Sequence, residues 1–249
     1  MEELLSGKMM MNMKRSIIYL ALGLFALGCT NLEIDEVESS SVQFPKEYLA
    51  YTDAEPQTKV FVNSSLTTLW NEDDRITIFN DTYNAQWKFN GETGSDNGSF
   101  SKVSDEYYTA AETPTTYAVY PYNPSTSITT DGEITLSLPA VQYYAQNSYG
   151  LGANTMVAAT ETPTSNALYF KSLCSFVVVQ LYGSSTVKSI TLTGNNGEKL
   201  AGTATVKPAY DGAPFATMSD AATSSITLDC GEGAVLGTTA ATATEFWFC

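Results

Sequence analysis

From Lys59 onward, apolar residues alternate with polar ones over short windows: Val60 with Val62, Ile76 with Ile78, then Ala85 with Trp87 and Phe89. A period of two over four to eight residues marks a strand with one face buried, and no window holds the 3.6-residue period of a long amphipathic helix. Turn-forming residues separate the runs, at 71–74 before one strand and 91–98 after another. Further strands are predicted at 115–122, closed by Pro121 and Pro124, and at 133–138, closed by Pro139. The fold class read from this pattern is all-β.

The segment 161–166 has a proline and no strongly apolar residue, and polar Pro-containing links are where compact units divide. It predicts two domains, 57–162 and 166–249. In the second, 176–181 is almost continuously apolar, as expected of a central strand covered on both faces. Runs at 187–193 and 200–206 flank Asn195-Asn196-Gly197, whose Asn-Gly pair favours the positive φ angles of a hairpin turn. The run Phe246-Trp247-Phe248-Cys249 has no polar closing turn, so the second domain is expected to be incomplete.

The N-terminal region follows a different pattern. Lys14 and Arg15 precede an apolar run over 16–28 that stops at Cys29. A membrane-spanning helix needs ~20 apolar residues, so 1–28 reads as a secretory signal peptide, with Met13 the more natural start. Ala26-Leu27-Gly28-Cys29 resembles the lipobox of bacterial lipoproteins, which implies an acylated Cys29 and a membrane anchor; an ordinary secretory signal cleaved nearby is the alternative. Residues 29–56 are polar, with Glu33, Asp35, Glu36 and Glu38 crowded behind the cysteine, and read as a solvated acidic tether. Acids in that place also resemble the export signal that sends lipoproteins to the outer face of the outer membrane.

Composition narrows the partners. The chain of 249 residues carries a formal net charge of −15, and loss of 1–28 removes two acids and three bases, making it one unit more negative. Such a chain repels nucleic acid and anionic headgroups, so neither is an expected partner except through a lipid anchor. After Cys29, three cysteines remain, and the spacing of Cys174, Cys230 and Cys249 matches no metal site. Cys174 fits a small buried hydrophobe, while Cys230 and Cys249 either pair as a disulfide or stay free.

Catalysis is not expected. The chain has no histidine, which removes the commonest general base and triad member. Asp73 and Asp74 are adjacent in a turn and would point to opposite faces of any strand they joined, so they do not make a paired-carboxylate site. The spacing over 71–74 is not that of an EF-hand calcium loop, and no metal or cofactor is expected. Fifteen tyrosines offer a different chemistry, with Tyr107-Tyr108 and Tyr143-Tyr144 the candidate platforms for stacking carbohydrate. Strand alternation would instead send one ring of each pair inward.

Five motifs follow one another along the chain: Trp70-Asn71-Glu72-Asp73-Asp74-Arg75-Ile76, Tyr117-Ala118-Val119-Tyr120-Pro121, Leu138-Pro139-Ala140-Val141-Gln142, Met156-Val157-Ala158-Ala159 and Leu200-Ala201-Gly202. In that order, and with the lipobox ahead of them, they resemble fimbrillin-like proteins, the subunits of type V pili of anaerobic Gram-negative bacteria. The resemblance implies two β-sandwich domains in tandem, of transthyretin-like pilin architecture, on an outer-membrane lipoprotein exposed at the cell surface or in a fimbrium. It also implies assembly with other pilin subunits, self or homologous, by strand exchange after proteolytic removal of an N-terminal strand. Lys46 and Lys59 are the first basic residues after Cys29, and Lys59 is the candidate cleavage position. The alternative is a non-polymerising outer-membrane lipoprotein that binds carbohydrate or adheres to a host protein or glycan receptor.

Overall fold

The computed structural model describes residues 45–52, 68–80, 82–103 and 115–249. In chain order the strands are β1 (Glu47–Thr52), β2 (Arg75–Asn80), β3 (Tyr83–Phe89), β4 (Asn97–Lys102), β5 (Tyr117–Tyr120), β6 (Ser127–Ile128), β7 (Ile134–Leu138), β8 (Val141–Ala145) and β9 (Ser148–Tyr149). They continue as β10 (Met156–Ala159), β11 (Ala167–Ser172), β12 (Val177–Leu181), β13 (Thr186–Thr193), β14 (Gly202–Val206), β15 (Ala216–Met218), β16 (Ser225–Val235) and β17 (Thr244–Phe248). The all-β expectation holds: strands lie at the alternating windows over 75–89 and at the further segments 115–122 and 133–138, while the Val60 and Val62 window lies outside the described residues.

Seven strands close into a barrel in the order β1-β11-β10-β5-β2-β3-β4. The alternation in the sequence explains its interior: Ile76 and Ile78 of β2, Ala85, Trp87 and Phe89 of β3, and Ala118 and Tyr120 of β5 all point inward and are buried. Trp70 lies among these side chains, its ring edge-to-face with Phe100, Tyr120 and Phe170 at centroid distances of 5.1, 5.5 and 5.3 Å. The side of β2, β5 and β10 that faces out of the barrel is also apolar. Phe79, Val119 and Val157 pack there against Ile134, Leu136, Ala204 and Val206 of the sheet β15-β14-β7-β6. Strands covered on both sides read as nearly continuous apolar runs, and Met156-Val157-Ala158-Ala159 is such a run, buried throughout.

A third core joins Ile226, Leu228 and Cys230 of β16 to Phe246 and Phe248 of β17. It lies between the sheet β13-β16-β8-β9 and the two-stranded sheet β12-β17. The end of β17 is fixed by a side chain acting as a strand would: Gln142 Nε2 donates to the Cys249 main-chain oxygen at 2.7 Å, and the Cys249 N–H donates to Gln142 Oε1 at 3.0 Å. Phe246, Trp247, Phe248 and Cys249 are all buried.

Four expectations differ from what is observed. Residues 47–52, read as tether, form a barrel strand in which Tyr48, Ala50 and Thr52 face inward and Glu47 and Leu49 face out. The link at 161–166 joins β10 to β11, which are neighbours in one barrel, and strands from both sides of it pair elsewhere: β1 with β11, β7 with β14 and β8 with β16. Strand β12 is not covered on both faces. Among the described residues it pairs with β17 alone, and Val177 is 42% exposed. Asn195-Asn196-Gly197 does turn, with Gly197 at φ +83°, but the flanking strands diverge: β13 pairs with β16, and β14 with β7 and β15. The turn residues set the local backbone and say nothing about which partner each strand finds.

Candidate functional site

Strand β1 is the one barrel strand contributed from far upstream, and its placement is the most specific feature of the fold. On one side it runs parallel to β11, with Leu49 opposite Ala167 and Thr52 opposite Phe170; on the other it runs antiparallel to β4, with Tyr48 opposite Phe100. The next barrel strand in the chain is β2, and β1 does not pair with it. Further bonds hold it: the Leu49 N–H donates to Asn166 O at 2.7 Å, and at the C-terminal end the Thr52 N–H donates to Asp96 O at 3.1 Å and the Thr52 hydroxyl to Thr68 O at 2.7 Å.

The inward side chains explain how tightly the slot is filled. Tyr48 is wholly buried, packs edge-to-face on Trp87 at 5.2 Å, and its hydroxyl shares a 3.3 Å hydrogen bond with that of Thr116. Burial pushes the Tyr48 phenol above its ordinary value, and the Thr116 bond opposes that shift. Ala50, also wholly buried, leaves room for the larger rings around it. The sequence signal for this strand is weak because the inward set is one aromatic, one alanine and one threonine, close behind an acidic run.

Among the sequence-derived candidates, Cys29, Lys59, Tyr107 and Tyr108 lie outside the described residues. Tyr143 and Tyr144 are neighbours on β8 and face opposite ways: Tyr143 is 62% exposed, whereas the Tyr144 ring packs against Phe246 at 5.3 Å. They do not form a two-ring platform, for the reason alternation gives. Cys174, Cys230 and Cys249 are free thiols, so no Cys230–Cys249 bridge is present. Burial holds the Cys174 thiol up at about 11, which keeps it protonated and unreactive.

The turn ahead of β2 separates its two acids. Asp73, at φ +73°, reaches outward to Lys88 at 2.5 Å. Asp74 turns inward, where its carboxylate accepts from the Asn71 N–H at 2.7 Å and from the Tyr120 hydroxyl at 3.1 Å. Burial raises the Asp74 carboxyl above the usual range despite those donors, and it raises the Tyr120 phenol as well, with the Asp74 charge adding to the effect. Asp74 ties the turn to the barrel interior. Among the described residues, no group of three His, Cys, Asp or Glu could hold a metal ion.

No protein-family model and no curated protein matches the chain. A solved structure from Bacteroides ovatus, described as that of a cell adhesion protein, is similar over 81% of this chain and 76% of its own, at 16% identity and a TM-score of 0.44. That level of similarity does not assign the chain to a family.

Proposed function

We propose that the protein is a surface-exposed, non-catalytic structural subunit of a fimbria, anchored through Cys29 until cleavage at Lys59, after which it gives up β1 with the anchor and accepts a strand from a neighbouring subunit in its place. The observation that supports this reading is the position of β1. It pairs along both edges inside a closed barrel, yet it reaches the rest of the chain only through 53–67, the segment that carries Lys59. A cut there would leave β1 held only by non-covalent contacts: its strand pairing, the packing of Tyr48 and Ala50, the Thr52 bond to Thr68 and the Tyr51–Tyr169 stack.

The energetics of exchange follow from that geometry. Departure of β1 exposes a row of unpaired N–H and C=O groups on β4 and another on β11, beside the hollow left by Tyr48 and Ala50. An incoming strand with a large and a small apolar side chain at alternate positions satisfies both edges and fills the hollow at once. The barrel cannot close around the gap without re-registering its other strands, so an empty slot provides the driving force for assembly.

The test uses full-length subunit incubated with a lysine-specific protease. The new N-terminus is sequenced, and the product is run on unheated gels. The proposal predicts a chain beginning at Val60 and a ladder of multimers. Cleavage at Lys59 with no multimers, even when an intact homologous subunit supplies the donor strand, leaves an anchored non-polymerising lipoprotein as the better description.

A further inference from the structure

Strand register and a lysine-held connection bring three tyrosines together on the outside of the barrel. Tyr51 of β1 lies opposite Tyr169 of β11, and the two rings stack at a centroid distance of 4.9 Å with 15° between their planes. Tyr210, in the connection between β14 and β15, meets Tyr169 edge-to-face at 5.9 Å and 76°. Its position is enforced by Lys171, two residues beyond Tyr169 and therefore on the same face of β11. Lys171 Nζ donates to Tyr210 O at 2.6 Å and to Gly212 O at 2.9 Å, pinning the connection against the barrel wall.

Polar groups border the rings at both ends of the row. Register puts Asn97 of β4 opposite Tyr51, and the Asn97 amide donates to the Asp96 carboxylate at 2.6 Å. Desolvation raises the Tyr210 phenol above its ordinary value, and the Glu161 and Asp211 charges add to the effect. Tyr169 is 41% exposed, and Tyr51 and Tyr210 are half-buried, so ring surface remains open to solvent. None of the three rings belongs to a buried core.

We propose that Tyr51, Tyr169 and Tyr210, with Lys171 as the positioning residue, form a platform that binds an uncharged glycan on the outer face of the barrel. The stack covers one face each of Tyr51 and Tyr169; the ring surface left open suits the apolar C–H face of a pyranose, and the phenol, amide and carboxylate oxygens accept its hydroxyl protons. Charge selects among glycans. Asp96, Glu161 and Asp211 border the row on a chain of net charge −15, and the nearby Lys171 charge is taken up by main-chain carbonyls, so uronic-acid and sulfated polymers are repelled. Rings already stacked, and a connection already pinned, lose little freedom when a ligand arrives. This platform does not rest on strand exchange, although it includes a β1 residue and loses Tyr51 whenever β1 leaves.

Affinity electrophoresis of the intact protein tests it, in native gels containing a neutral glucan, mannan or galactan, with polygalacturonate in a parallel gel. The expected result is retardation in at least one neutral gel and none in polygalacturonate. Tyr169→Ala should weaken retardation at least tenfold, and Tyr210→Ser and Lys171→Met several-fold. Tyr143→Ala should leave it unchanged. Tyr210 sits in a connection rather than a barrel strand, so Tyr210→Ser reports on binding even if Tyr169→Ala perturbs folding, which circular dichroism would reveal. No retardation in any neutral gel, equal retardation of wild type and Tyr210→Ser, or equal retardation in polygalacturonate overturns the proposal. Binding to poly-L-lysine alone, lost in Tyr210→Ser, also overturns it and assigns the rings to a cationic partner.

Discussion

The barrel and the C-terminal core are both β structure, yet they solve the edge problem in opposite ways. In the barrel every strand has a neighbour on each side, and the interior is filled by fully buried rings: Tyr48, Trp70, Phe89, Phe100 and Phe170. In the C-terminal core the sheet β12-β17 has two strands, and Val179, Leu181, Val187 and Leu192 are only partly covered. Closure removes edges altogether, whereas a two-stranded sheet must rely on packing and on side chains that imitate a strand, as Gln142 does at Cys249. The lesson is that the barrel is the more fully buried region but depends on one strand that is not local to it. The C-terminal core is less completely covered but made of strands no cut near Lys59 would remove.

Substitutions can sharpen or break this contrast. The largest effect is expected from Trp70→Ala, which removes the ring at the centre of the barrel aromatic cluster and should cost ~3–5 kcal/mol. Urea denaturation checks it; a loss below ~1 kcal/mol would mean the barrel interior is far more plastic than its packing implies. Gly98→Ala comes next, because a Cβ there would sit 2.4 Å from the Phe89 ring, which is itself packed in the core. Overpacking of that kind costs ~1–3 kcal/mol, read from the shift in thermal midpoint. Gln142→Ala leaves two main-chain groups of buried Cys249 without partners and should cost ~1–3 kcal/mol. By contrast Val179→Ala, at a partly covered position, should cost only ~1 kcal/mol. If Val179→Ala proved as damaging as Trp70→Ala, the two regions would not differ as described.

The smallest effect is in pH dependence. Burial raises the folded-state pKa of Asp74, while in the unfolded chain an aspartate titrates near ~4. The folded protein therefore holds this proton more tightly, so the group's contribution is fully present below about pH 4 and is lost as pH rises through the folded value. Denaturation midpoints compared from pH 4 upward should show wild type losing stability relative to Asp74→Asn. A gain relative to the variant over that range would mean the Asn71 and Tyr120 donors outweigh burial.

Part of the barrel was legible because β2 and β3 carry apolar residues at alternate positions and β5 is a short apolar run closed by Pro121; β7, in the neighbouring sheet, alternates in the same way. β1 was not, since Ala50 and Thr52 carry little hydrophobic signal, and only the packing around them shows why small residues are required. The run at 176–181 misled in the other direction. Its apolar residues suggest two covered faces, but only Val179 and Leu181 of β12 pack on the third core, and Val177 stays exposed. The tyrosine row could not be read at all. Tyr51, Tyr169 and Tyr210 are far apart in sequence and meet only through the parallel register of β1 with β11 and the Lys171 bonds. Adjacent tyrosines such as Tyr143 and Tyr144 were the visible pattern, and alternation separates them.

The central claim is that β1 is a separable part holding the barrel closed, and the thermal midpoint of chain nicked after Lys59 tests it most directly. If β1 is then held by non-covalent pairing alone, unfolding becomes bimolecular. The midpoint should fall on dilution and rise again when free peptide spanning 46–52 is added, by RT ln(1 + [peptide]/Kd) in stability. A midpoint equal to that of the intact chain, independent of concentration and unmoved by the peptide, would contradict the account.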